Sequence, residues 1–238
     1  MPAGTVAFIC AMPIELEPVV EKLSLTETDL DGVRMHTGTL DGRRVVAIVT
    51  GMGTELARAG TQRLLDAVDV AHVLVVGITG AADNETPIGT LVLPEAVVNS
   101  GTGTRSRHTP LVDAPHRGTM WTTDVLITDL DRIAALKDQG VVCFDMETAA
   151  IAELCEARGI GWTVFRVISD RATDGSVDEE IFKLSNQDGT PNRENIERYM
   201  REHPERLPLM AQMAKDAKLA TETAADAAIA ACALIRSR

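Results

Sequence analysis

Four apolar runs constrain this chain most: Val6-Ala7-Phe8-Ile9-Cys10, HVLVVG at 72–77, VVCFDM at 141–146 and WTVFRVIS at 162–169. A strand with one wet face alternates apolar and polar residues. HVLVVG does not, so it reads as an inner strand covered on both sides, Val6–Cys10 reads as a short buried strand, and VVCFDM and WTVFRVIS read as strands. Helical segments separate them. Pro13 suits the first turn of a helix to about Leu23. TELARAGTQRLLDAV follows the turn Gly51-Met52-Gly53, and TAAIAELCEAR stops at Gly159. Ala-, Leu- and Met-rich helices fill about 192–236. One hairpin, VRMHTGTLDGRRVVAIVTG, turns at Asp41-Gly42. The expectation is an α/β fold, a single domain over 1–238, with a central mixed, largely parallel sheet covered by helices on both faces. GITGAADNETPIG (77–89) reads as a loop, TLVLPEAVV (90–98) as one strand and 174–198 as polar, irregular chain.

Charge and composition narrow the function. A formal net charge of -12 argues against nucleic acid as a partner, since phosphate backbones need clustered Lys and Arg. No apolar run approaches the ~20 residues of a membrane helix, and MPAGTVAFICAMPIE lacks the basic start and long apolar core of a signal peptide. Cys10, Cys143, Cys155 and Cys232 are scattered, with no pairing or zinc spacing, and read as reduced core residues of a cytoplasmic protein. The five histidines show no metal spacing, so neither metal nor cofactor is expected.

In sheets of this kind ligands bind beyond the carboxyl ends of the strands, and several chemically capable residues fall there. Arg166 sits inside WTVFRVIS and shares a face with Val164 and Ile168, so its guanidinium is buried and needs carboxylate partners. Glu147 opens the helix after VVCFDM on its apolar stripe, with Ile151 and Leu154. It can accept two sugar hydroxyls, or simply complement the helix dipole. Glu15, in the first turn of the first helix, is also open to two readings: dipole partner or general base. Asp170, after the last inner strand, can be a cap or turn residue, or a general acid whose burial holds its proton. Gly77–Gly80 and Gly51–Gly53 let backbone N–H groups approach a ligand, but neither is a dinucleotide or triphosphate motif. Several carboxylates, one buried Arg and two Gly-rich turns suit acid–base cleavage at a polyol such as ribose.

CAMPIELEPV, VTGMG, GITGAAD…IGTLVLPEAV, FDMETAAIAEL and FRVISDRA stand in this order over residues 5–173. The order resembles that of the nucleoside phosphorylase/nucleosidase superfamily, and within it the methylthioadenosine/S-adenosylhomocysteine nucleosidases. The resemblance implies an N-ribosyl hydrolase acting on a purine nucleoside with a 5′-substituent. Asp170 then protonates or hydrogen-bonds purine N7, and Glu15 activates the attacking water. Glu147 holds the 2′ and 3′ hydroxyls, and Met146 packs on the sugar. Arg166 orients the carboxylates, Ser169 supports Asp170, and Thr79 and Gly80 lie near the ribose and the nucleophile. TTDVLI places Leu126 and Ile127 beside the base. The resemblance, with small apolar side chains on the helices after the Gly-rich turns, also implies a homodimer.

Two departures touch the substrate. Leu126 stands where these nucleosidases usually carry an aromatic residue. The stretch before TTDVLI is shorter, and residues 100–120 form a long Gly-, Thr- and Arg-rich loop of the functional or mobile kind. Futalosine hydrolases and adenosylhopane-processing enzymes, short forms that accept bulkier 5′ groups, are therefore alternatives. A phosphate-dependent purine nucleoside phosphorylase is another. Glu15 and Ile78 oppose it, whereas Arg43, Arg44 and Arg58 keep it open. A non-catalytic nucleoside-binding protein is a third; retention of Asp170, Glu147 and Glu15 argues against it.

Overall fold

The first apolar run is covered on both sides, as its lack of alternation requires. In β1 (Thr5–Cys10), Ala7 and Ile9 face one core, while Val6, Phe8 and Cys10 face another. The computed structural model describes residues 4–114 and 116–235. Positions 1–3, 115 and 236–238 lie outside them, and with them the ends of the expected domain, one position of the 100–120 stretch and the expected helix end at 236.

Helix α1 (Pro13–Leu23) starts at its proline and leads into β2 (Thr26–Leu30), β3 (Val33–Leu40) and β4 (Arg43–Val49). Asp41 and Gly42 take φ of 50° and 77°, the left-handed pair a tight hairpin needs. Asp31 and Gly32 repeat the device between β2 and β3. The sequence reading missed β2 because its side chains are mostly exposed and carry no apolar pattern. After Gly51-Met52-Gly53, with both glycines at φ 93°, comes α2 (Thr54–Ala67).

Strand β5 (Val70–Ala81) overturns one expectation: GITG belongs to the strand, and the loop starts only after Ala81. Its partners explain this. β5 pairs β1 in parallel over Val70–Val75, and its end continues into pairs of its own, Phe144↔Gly80 and Cys143↔Ala81. TLVLPEAVV is likewise not one strand. β6 (Leu91–Val92) and β7 (Ala96–Asn99) flank Pro94, which has no N–H to give a ladder.

The rest is β8 (Arg105–Ser106), β9 (Thr119–Thr122), α3 (Leu130–Asp138), β10 (Val141–Asp145), α4 (Thr148–Ala157), β11 (Gly161–Arg171), α5 (Glu179–Phe182), α6 (Arg193–Glu202) and α7 (Leu207–Cys232). Residues 174–198 are thus not irregular throughout, since α5 and the start of α6 lie there. The strand order is β2-β3-β4-β1-β5-β10-β9-β7-β8, with β11 on β5 and β6. β1/β4, β1/β5, β5/β11, β9/β10 and β7/β9 are parallel; the hairpin strands and the β5/β10 contact are antiparallel. Helices α2 and α4 supply one core, and α1 and α7 the other. The fold is the expected α/β one, a mixed sheet with helices on both faces.

The 100–120 stretch leaves the carboxyl end of β7, where Ser100 N–H donates to Thr122 O (2.9 Å) at the end of β9, and then runs away from the cavity. Thr109 N–H donates to Trp162 O (2.7 Å) and His108 Nε2 lies 2.9 Å from Pro94 O. Both anchor it near the start of β11, the end remote from Asp170. No helix among the described residues is long and apolar enough to cross a membrane.

Candidate active site

Arg166 is the fixed point. It lies in mid-β11 opposite Gly77 of β5, 2% exposed, and its guanidinium meets three carboxylates. Nη1 donates to Glu15 Oε1 (3.1 Å) and to the Ile78 carbonyl (3.0 Å). Nη2 donates to Glu147 Oε2 (2.8 Å) and Asp145 Oδ2 (3.1 Å). All four terminal N–H bonds are therefore occupied. Burial alone would weaken the guanidinium's hold on its proton; Asp145, Glu15 and Glu147 more than offset that and raise its pKa. Gly77 makes the room. A Cβ there would meet Glu15 Oε1 at 2.1 Å and Arg166 Nη1 at 2.5 Å.

Glu15 is fully buried at the start of α1. Its Oε2 accepts from the N–H groups of Ala11 (2.8 Å) and Met12 (3.0 Å), and its Oε1 from Ile78 N–H (2.8 Å) as well as Arg166. Four donors match the whole lone-pair capacity of a carboxylate. Glu147 stands at the N-cap of α4 but makes no cap bond there. Its Oε1 accepts from Gly53 N–H (2.9 Å), at the start of α2. Burial raises its pKa from 4.5 to about 7; Asp145 and Glu15 push it the same way, and Arg166 and the Gly53 N–H oppose them.

Asp170 does not end its strand, since β11 continues to Arg171. The β5 register slips between Ile168 and Asp170, a bulge that re-aims the side chains there. Ser169 Oγ donates to Asp170 Oδ1 (3.0 Å). Burial raises the Asp170 pKa despite that bond, and Asp174 adds to it.

These groups line one cavity of about 280 Å³ at the carboxyl ends of the strands. Asp170, Glu15, Glu147, Met146, Arg166, Ser169, Thr79, Gly80, Leu126 and Ile127, the residues singled out from the sequence, all face it. Thr79 donates its hydroxyl to Phe144 O (2.7 Å), which leaves its oxygen as an acceptor toward the cavity. Four carboxylates (Glu15, Asp145, Glu147 and Asp170) stand against one guanidinium. Arg43, Arg44 and Arg58 do not reach the cavity: Arg43 donates to Ile235 O and Arg58 pairs with Glu153.

Sequence reasoning missed Asp145, although it stands two residues before Glu147, and Phe144, one of two aromatic rings that line the cavity. It also missed the roof. Ile181 and Phe182 of α5 and Met213 and Ala217 of α7 close the apolar side. A turn after α5 docks on the body through Met52 N–H to Gln187 O (2.8 Å), with Gly189 (φ 76°) packed on Met12.

A family model described as the phosphorylase superfamily matches residues 5–115 and 106–202. The chain is 23% identical over 198 residues to the 5′-methylthioadenosine/S-adenosylhomocysteine nucleosidase of Halalkalibacterium halodurans, a match spanning 70% of this chain and 85% of that one. It is 26% identical to the Chromohalobacter salexigens protein of that name, over 70% and 84% of the two chains. Among solved structures, the 5′-methylthioadenosine/S-adenosyl homocysteine nucleosidase of Helicobacter pylori superposes with a TM-score of 0.76 at 15% identity, over 99% of this chain and 100% of that one. The futalosine hydrolase of Helicobacter pylori gives 0.75 at 15%, over 98% and 99%. At such identities the structural likeness speaks for the fold.

Proposed function

The chain belongs to the phosphorylase superfamily, and on that footing we propose that it hydrolyses the N-ribosyl bond of a 5′-substituted purine nucleoside, of the methylthioadenosine or adenosylhomocysteine type. Water adds to C1′, the bond to the base nitrogen breaks with its electron pair going to the base, and the base leaves protonated. Such a reaction passes through an oxocarbenium-like state, which an acid on the leaving group and a base on water both favour.

Asp170, its pKa raised by burial, supplies the proton or hydrogen bond to purine N7, and Ser169 fixes its orientation. Glu147 accepts the ribose hydroxyls, with Met146 against the sugar. Leu126, Ile127 and Phe144 flank the base. Thr79 and Gly80 border the nucleophile. Glu15 takes the proton from water, and since its lone pairs are filled, one of its four donors must give way when substrate enters. Arg166 holds Glu15 and Glu147 in register.

One observation carries hydrolysis over phosphorolysis. Among the described residues, Arg166 is the only cation lining the cavity, and its terminal N–H bonds are committed to carboxylates and a carbonyl. Phosphate would meet an excess of carboxylate and no free cation. The test is base release from methylthioadenosine, adenosylhomocysteine, adenosine and inosine, each with and without phosphate. Release independent of phosphate, with a free sugar as co-product, is expected; release only with phosphate would overturn the hydrolase reading. A bulkier 5′ group of the futalosine type remains a second reading, favoured by the separate roof of α5 and α7.

The same proposal places the protein in the cytoplasm as one domain, in keeping with four free, buried cysteines. It also makes it a homodimer, in keeping with Val125, 56% exposed at the cavity wall, and Leu130, 60% exposed nearby in sequence.

A further inference from the structure

Asp145 is the carboxylate that the proposed chemistry leaves unused. It does not hang free in the cavity wall. Its Oδ1 accepts from Thr122 Oγ1 (2.5 Å), at the end of β9. Its Oδ2 accepts from Thr148 N–H (2.8 Å), Thr148 Oγ1, Glu147 N–H (3.3 Å) and Arg166 Nη2 (3.1 Å). Two of these donors are the backbone N–H groups of the N-cap residue, Glu147, and of the first residue of α4, Thr148. A helix start needs an acceptor for such groups, and the N-cap side chain usually provides it. Here the N-cap residue is Glu147, yet its side chain accepts none of them: Asp145, two residues earlier, takes the N–H groups of Glu147 and Thr148, and Thr122 Oγ1, itself bonded to Asp145, takes Ala149 N–H (3.1 Å). Glu147 is thereby released from capping and turns to the cavity. Asp145 also engages one of the two N–H bonds of Arg166 Nη2, so the guanidinium is shared and not given wholly to Glu147.

We propose that Asp145 is a positioning residue for Glu147: it takes over the cap of α4 and divides Arg166, and so sets both the direction of the Glu147 carboxylate and the pH at which that carboxylate is ready for the sugar. The proposal rests on the nucleosidase reading. The charged groups facing Glu147 are Arg166 from β11, Asp145 from β10 and Glu15 from α1. From α2 it meets the Gly53 N–H, beside which Asp124 accepts from Thr54 N–H. Of these, Asp145 can lose its charge with little change of shape. In Asp145→Asn the amide oxygen can keep the helix cap while the NH2 meets Thr122 Oγ1. A like charge disappears beside Glu147, and Arg166 Nη2 is freer to turn toward it. Both changes favour the ionised form of Glu147.

The experiment is the pH profile of kcat/KM for base release from methylthioadenosine, in the wild-type chain and in Asp145→Asn, with thermal midpoints alongside. Asp145→Asn should move the acid limb to lower pH by roughly one pH unit, the scale set by a neighbouring charge. Thr148→Val, which removes a donor from the cap and leaves the charge, should lower the midpoint and leave the limb in place. An Asp145→Asn profile whose limb coincides with wild type would reduce Asp145 to a structural cap and overturn the proposal. Asp145→Ser keeps a capping oxygen without charge and repeats the test if the amide is not tolerated. If neither variant folds, Asp145 serves the fold alone and the proposal fails. The two readings fail separately. Absence of base release from the wild-type chain on any nucleoside sinks the nucleosidase reading, whereas normal release with an unmoved limb sinks only the role of Asp145.

Discussion

Glu147 should cost the folded chain stability wherever it is ionised, and Glu147→Gln measures that cost. The carboxyl holds its proton to about 7 when folded, against an ordinary 4.5, because burial penalises its charge more than Arg166 rewards it. A group bound more tightly to its proton in the folded state contributes full stability below 4.5. It loses that contribution as pH rises through about 7. At 1.36 kcal/mol per pH unit the interval amounts to roughly 3 kcal/mol, of which roughly 2–3 falls between pH 5 and pH 8. Gln cannot titrate. It carries its own penalty, because its NH2 must face either Gly53 N–H or Arg166, donor against donor, at about 1–3 kcal/mol. That penalty is the same at every pH and cancels from the comparison. Denaturant unfolding of both chains at pH 5, 6, 7 and 8 should therefore show the variant gaining on wild type by roughly 2–3 kcal/mol across the range. Parallel curves, or a variant that loses ground as pH rises, would mean that Arg166 dominates Glu147, and the reasoning about its burial would be wrong.

Three further expectations follow from the site. Asp170→Asn keeps size and most polar contacts but has no proton of the right acidity to give, so kcat should fall about 10²–10⁴-fold with ligand affinity within a few-fold. In the wild-type chain base release should also decline on the alkaline side, where Asp170 loses the proton that burial helps it keep, and a single-turnover assay across pH reads both effects. Arg166→Met strands Glu15, Asp145 and Glu147 in the interior, which should cost about 3–5 kcal/mol, a fall of very roughly 6–20 °C in Tm at this chain length. The deficit should widen as pH rises, because Glu147 without the guanidinium resists ionisation further still. Calorimetry showing a Tm within a degree of wild type at pH 8 would contradict that account.

The sheet was legible because burial on both faces leaves an unmistakable mark, a run of apolar residues with no alternation. So was the cluster around Arg166: a guanidinium inside such a run has to find carboxylates, and Glu15 and Glu147 were the ones at neighbouring strand ends. What stayed hidden has physical reasons. β2 pairs on a wet edge and carries no apolar signature. Gly77 and Gly80 look like loop residues, yet Gly77 lies in β5 because the ion cluster needs the space of its missing side chain. Asp145 reads as an ordinary strand-end residue, since nothing in sequence reveals that it, and not Glu147, caps α4. α5 stayed hidden because it is only four residues long, and the turn after it docks through the Gln187 carbonyl, an acceptor that any residue could supply.

Arg166 faces Gly77 in a ladder that pairs β11 with β5 from Gly161 to Arg171. A strand cannot creep along such a ladder by a fraction of a residue, and a slip of one turns every side chain to the opposite face. Arg166 and Asp170, around which the charged half of the cavity is gathered, are therefore fixed by a register that admits no gradual adjustment. The other half, Ile181, Phe182, Met213 and Ala217, belongs to helices held outside the ladder. A lineage carrying this architecture can exchange its roof while its floor stays untouched, so that acquiring a new ligand and retaining the old bond-breaking step become separate evolutionary problems.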